Sequence, residues 1–151
     1  MKSKAPLAMM EQMVMILVFA LAAALCLQAF VQSDQMSRDS EERDRAAVLC
    51  QSAAEAIRYS GDVEAGLELA CGTNPGERDG FGFFVGFDEN WEVLTYDGRP
   101  QSSCYTLRAM ELDSGVDGLG KANVEAFAWD AGTMESIFRI EVTWQEVSAH
   151  G

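Results

Sequence analysis

A chain of 151 residues has room for one domain and one appendage. Its 24 acidic and 11 basic residues give a net charge of −13, which argues against a nucleic-acid partner, because neutralising phosphates needs clustered Lys and Arg. The single His, His150, argues against His-based catalysis and His-rich metal sites, and 48% hydrophobic residues fit a mean hydropathy of −0.04 only if the apolar residues are concentrated.

They are concentrated near the N-terminus. From Met13 to Leu27 the run MVMILVFALAAALCL has no polar side chain but Cys26. A helix of about 20 apolar residues crosses a bilayer core of roughly 30 Å. Residues 7–31 are therefore predicted as a transmembrane helix, after a short basic leader, residues 1–6, that carries Lys2 and Lys4. Asp34, Arg38, Asp39, Glu41 and Glu42 follow on the other side. The positive-inside rule then puts the N-terminus in the cytoplasm and residues 32–151 outside as an extracytoplasmic domain, making this a single-pass cell membrane protein. Two processing alternatives compete. A cleaved signal peptide has only the poor site Leu27-Gln28-Ala29, and lipidation at Cys26 has the bulky Leu25 before it.

Beyond the apolar run neither Pro nor Gly interrupts residues 31–60. Ala46, Leu49, Cys50, Ala53 and Ile57 recur at helical spacing, so one helix is expected from about Leu7 to Ser60, with Gly61 as its stop. A short helix is expected over 62–70, with Asp62 as N-cap and Gly72 past its end, weakened by Gly66. TNPGERDG, residues 73–80, reads as a loop.

The period then changes to that of strands. FGFFVGFD (81–88) and WEVLTY (91–96) flank Glu89-Asn90 as a hairpin, and Asp97 to Pro100 is a further turn. CYTLRAMEL (104–112), VEAFAWD (124–130) and SIFRIEVTWQEV (136–147) follow. In the last, Phe138, Ile140, Val142 and Trp144 face one way, and Arg139, Glu141, Thr143 and Gln145 the other. That alternation predicts an antiparallel sheet with one packed and one wet face, the stripe of residues 46–57 covering the packed one. The fold class is thus α+β: a long N-terminal membrane-spanning helix on a four- to five-stranded antiparallel sheet.

Residues 2–30, KSKAPLAMMEQMVMILVFALAAALCLQAF, followed by such a sheet, resemble a type IV pilin or a type II secretion pseudopilin. In that family a short basic leader precedes a cut, and a Glu lies four residues after the first mature residue. The resemblance implies that Leu7 opens the mature chain and that Glu11 is this Glu. Pro6 and Leu7 stand where the family has Gly before the cut and Phe or Met after it. The implied partners are the lipid bilayer, other pilin-like subunits through the N-terminal helix, and a prepilin peptidase. Glu11 would act in assembly, meeting the freed amine of a neighbour; the plain alternative is a carboxylate that snorkels at the cytoplasmic interface.

Cys50, Cys71 and Cys104 lie in the part expected outside, where oxidation is feasible. Cys50 sits on the apolar stripe as a buried thiol, and Cys71 with Cys104 is the favoured disulfide among three open pairings. Asp113 and Asp117 suggest a calcium loop only faintly, since EF-hand spacing is not met, and no cofactor or metal is expected. No nucleophile elbow or phosphate-binding glycine loop occurs, so an enzyme is not expected. Phe81, Phe83, Phe84, Phe87, Trp91 and Tyr96 are expected in the sheet core. Two functions compete: a pilin-like structural subunit that assembles, and a non-polymerising, membrane-anchored binding or sensing module. Residues 1–31 hold only Lys2, Lys4 and Glu11 among the charges, so residues 32–151 have 9 basic against 23 acidic side chains, a net charge of −14. That charge keeps the outer part soluble.

Overall fold

The computed structural model describes residues 5–94, 103–130 and 132–145. The chain divides into two compact units, Met1–Glu41 and Glu42–Gly151. One helix, α1 (Ala5–Ser60), supplies the first unit and the opening of the second. It is long because nothing stops it before Gly61, which takes φ 74° and donates its N–H to the Ile57 carbonyl.

In the second unit, α2 (Val63–Cys71) begins at Asp62, whose carboxylate accepts the Ala65 N–H at 2.8 Å. It ends at Gly72, in the left-handed region with φ 68°. These are the caps that the sequence announced. Six strands follow: β1 (Gly76–Arg78), β2 (Gly82–Phe87), β3 (Val93–Leu94), β4 (Tyr105–Leu112), β5 (Leu119–Asp130) and β6 (Thr133–Gln145). All pairings are antiparallel. The order is β1-β2-β4-β5-β6, with β3 also on β2. The fold is α+β as expected, with six strands among the described residues instead of four or five.

The additional strand is β1, inside the stretch read as a loop. Its Gly76 looks like a turn residue, but it is there for space: a Cβ would stand 2.8 Å from Cζ of Phe84, whose ring lies over it. Strand β5 also begins five residues earlier than expected, because Gly120 hides the start. A Cβ on Gly120 would lie 2.2 Å from the Trp144 indole, so only glycine admits that ring. The turn expected at residues 97–100, and Tyr96, lie outside the described residues.

One face of the sheet meets the helices. Ala46, Cys50, Ala53 and Ile57 of α1 are fully buried with Val63 and Leu67 of α2, against Val85, Phe87, Leu107, Ala109, Val124 and Trp144 of the strands. The stripe at 46–57 therefore covers the packed face, as its spacing requires. The expected aromatic core divides in two: Phe83, Phe87 and Trp91 join this cluster, while Phe81 and Phe84 belong to the opposite face.

The helix is also tied to the sheet by a polar contact. The Tyr105 hydroxyl donates to Glu42 at 3.0 Å, and its ring stacks on Trp91 at 4.0 Å between centroids and 13° between planes. Trp91 reaches that position with φ 64°, rare for a bulky residue. The Asp88 carboxylate fixes this turn by accepting the N–H groups of Asn90 and Glu92, each at 2.8 Å. Burial, then the bond to the Glu42 carboxylate, pushes the Tyr105 phenol up from 10.0 to about 12. A raised folded value means that its contribution is complete below pH 10.0 and lost as pH rises through about 12. Tyr105→Phe should lower unfolding stability by about 1 kcal/mol at neutral pH. The tyrosinate that it removes from the alkaline absorbance curve should be one that titrates late, near 12; loss of one that titrates near 10.0 would exclude the contact.

Candidate functional site

In the first unit the site is a surface. Every described residue from Ala8 to Glu41 is exposed, including Phe19 and Phe30, each at 76%. The helix is long and apolar enough to cross a membrane. None of the described residues covers it. So large an exposed apolar area is unusual on a protein surface in water.

Glu11 stands exposed on this helix, two residues before the uninterrupted apolar run. Pro6 and Leu7 belong to α1, whose described part begins at Ala5.

In the second unit, the face of the sheet turned away from the helices is wet along β6, where Arg139, Glu141, Thr143 and Gln145 are exposed as expected, but its centre is buried. Strand register aligns Phe84, Arg108, Glu125 and Arg139 in one row across β2, β4, β5 and β6. Glu125 is only 1% exposed. One of its oxygens accepts from Arg108 at 2.8 Å; the other accepts from Arg139 at 2.9 Å and from the Ser136 hydroxyl. The Arg108 guanidinium lies between the rings of Phe81 and Phe127, 4.9 and 4.8 Å from their centroids. The Trp129 indole N–H donates to the Thr106 hydroxyl at 2.9 Å, beside Phe127. Burial alone would raise the Glu125 carboxyl, but the Ser136 hydroxyl, Arg139 and Arg108 outweigh it and hold the group below its usual 4.5.

Sequence reasoning missed this cluster. The available signal was a glutamate within the otherwise apolar stretch Val124 to Trp129, and nothing local says which arginines lie opposite it.

Cys50 is fully buried, and burial pushes its thiol up to about 12; Cys71, half-buried at the end of α2, is pushed up to about 11 by the same cause. Cys71 and Cys104 stand as separate free thiols. At the β4–β5 turn, Asp113 accepts the Gly115 N–H at 2.9 Å, next to a depression of about 250 Å³ that Asp117, Lys121 and Trp144 help line. Among the described residues no group of three or more His, Cys, Asp or Glu side chains converges as a metal site would.

These observations define a class: a protein with a long apolar N-terminal helix, long enough to span a membrane, packed on an antiparallel sheet, an arrangement compatible with a pilin-like fold. No family model, curated protein or solved structure matches the chain.

Proposed function

We propose that the chain is a membrane-anchored pilin-like or pseudopilin-like structural subunit of a type IV pilus or type II secretion-type filament, assembled through its N-terminal helix. The observation that carries this reading is the unbroken exposure of the apolar helix ahead of a folded sheet domain. One surface then serves twice, in lipid before assembly and against neighbouring helices after it, with no change of shape. In this reading the N-terminus is cytoplasmic, the sheet domain extracytoplasmic, and a prepilin peptidase cuts between Pro6 and Leu7. Glu11 then lies four residues from a freed amine, within the apolar bundle where an ion pair is strong.

Intact-mass measurement and N-terminal sequencing of the native protein test it. The expected result is a chain that begins at Leu7 and is recovered in sheared filament fractions. Glu11→Ala should leave the protein in the membrane and reduce the sheared fraction at least about tenfold, the loss of one buried charge contact. An intact Met1 in purely membrane-bound protein would support the second reading, a non-polymerising anchored binding or sensing module. The departure at Pro6-Leu7 is the feature that favours that second reading.

A further inference from the structure

Within residues 42–151 there are 20 acidic and 8 basic side chains, and the sheet distributes them unevenly. Among the described strand residues, register places Arg78, Arg108, Lys121 and Arg139 on the face turned away from the helices, against Glu125 and Glu141. Lys121 pairs with Glu141 at 2.8 Å, and Arg108 and Arg139 share the single carboxylate of Glu125. Two positive charges are left over, on a unit whose total is strongly negative. Arg78 is exposed and Arg139 is 60% exposed, so these cations reach the surface. Phe81 and Trp129, both partly exposed, set apolar surface among them.

The opposite layer has the complementary character. Helix α2 buries Val63, Gly66 and Leu67 and turns Glu64, Ala65, Glu68 and Leu69 outward. No cation occurs in α2, its N-cap is Asp62, and Leu69 is 61% exposed. One layer thus offers acids around a leucine, and the other offers arginines around aromatic rings.

We infer that the arginine-bearing sheet face of one copy of this chain docks the outer face of α2 of a second copy, Glu64 and Glu68 meeting Arg78 and Leu69 meeting the ring of Phe81 beside it. The two surfaces lie on different sides of the same unit, so the contact is heterologous: a pair keeps one free surface of each kind, and the contact propagates, as an open array where the rotation does not close a ring. This inference deepens the filament reading and rests on it for its direction. It assigns to the sheet domain a contact separate from helix packing. Charge complementarity sets the register and suppresses face-to-face pairing of like surfaces.

The test places a photo-activatable cross-linking amino acid at Leu69 in the full-length chain, in membranes and in sheared fractions, with the adducts mapped by mass spectrometry. The expected product has the mass of two copies and joins position 69 to strand β1 or to Phe81 beside it. Arg78→Glu alone, and Glu64→Lys with Glu68→Lys alone, should each reduce that product about fivefold, and all three together should restore it. These positions are exposed, so the fold is retained. Filaments without the adduct, or reversals without effect, would overturn this contact and leave the filament reading standing. The adduct without filaments would uphold the contact and remove the filament reading. Adducts only to a different protein, or neither filaments nor adducts, would overturn the contact.

Discussion

Glu125→Leu should destabilise the sheet domain by about 3–5 kcal/mol, read as a fall in the urea midpoint, because it leaves a buried cation without its anion. The asymmetry within the cluster sets the controls. The Arg108 side chain is 18% exposed and held between two phenylalanine rings, so it cannot swing to water when Glu125 is lost. Arg139 is 60% exposed and can, so Arg139→Ala should cost only about 1 kcal/mol. The double variant Arg108→Leu with Glu125→Leu should recover most of the loss, since apolar replacement of a whole buried ion pair is often neutral or better. If the double is as unstable as the single, the charges do more than satisfy each other. The pH dependence follows from the same geometry. Burial raises the Glu125 carboxyl, but Ser136, Arg139 and Arg108 more than offset it, and the folded value lies below 4.5. A lowered folded value contributes stability that is present above pH 4.5 and is lost as pH falls through the folded value. Glu125→Gln should therefore flatten the acid limb of stability against pH.

That cluster marks where sequence reading ended. The long helix was legible because Ala46, Cys50, Ala53 and Ile57 keep one spacing, and no Pro or Gly breaks the chain before Gly61. The apolar surface of residues 7–31 was legible from composition alone. Helix α2 was legible from Asp62 and Gly72, and β6 from its strict alternation. Strand β1 was not, since Gly76-Glu77-Arg78 has no period and forms only because β2 offers an edge. The start of β5 was not, since Gly120 reads as a breaker until Trp144 is seen against it. The row Phe84, Arg108, Glu125, Arg139 depends on three non-local registers, and a one-residue slip in any of them would scatter it. A bulge between Ala126 and Phe127 shifts the β6 partners once more, bringing Ser136 opposite Phe127 and placing its hydroxyl on Glu125.

Gly66→Ala reverses the usual rule for a helix interior and is expected to destabilise. Alanine gains up to about 1 kcal/mol over glycine in an exposed helix, which is why Gly66 reads from sequence as a weak point in α2. In the fold a Cβ there would stand 2.5 Å from Cγ1 of Ile57 and 2.6 Å from its Cα. The Cα belongs to the backbone of α1, so a side-chain rotation cannot clear it, and α2 must move away. The cost should be about 1–3 kcal/mol net of the propensity gain, seen as a lower Tm and urea midpoint. Ile57→Val in the Gly66→Ala background should rescue little, because the backbone contact remains. Ala65→Gly, on the exposed side of the same helix, should lose about 1 kcal/mol for propensity alone and calibrates the comparison. A more stable Gly66→Ala protein would mean that α2 does not lie on Ile57. The same shift has a consequence for assembly, because moving α2 off α1 displaces Glu64, Glu68 and Leu69 together. Gly66→Ala should therefore weaken the α2-to-sheet cross-link between copies even at temperatures where the domain stays folded, whereas Ala65→Gly should leave it intact.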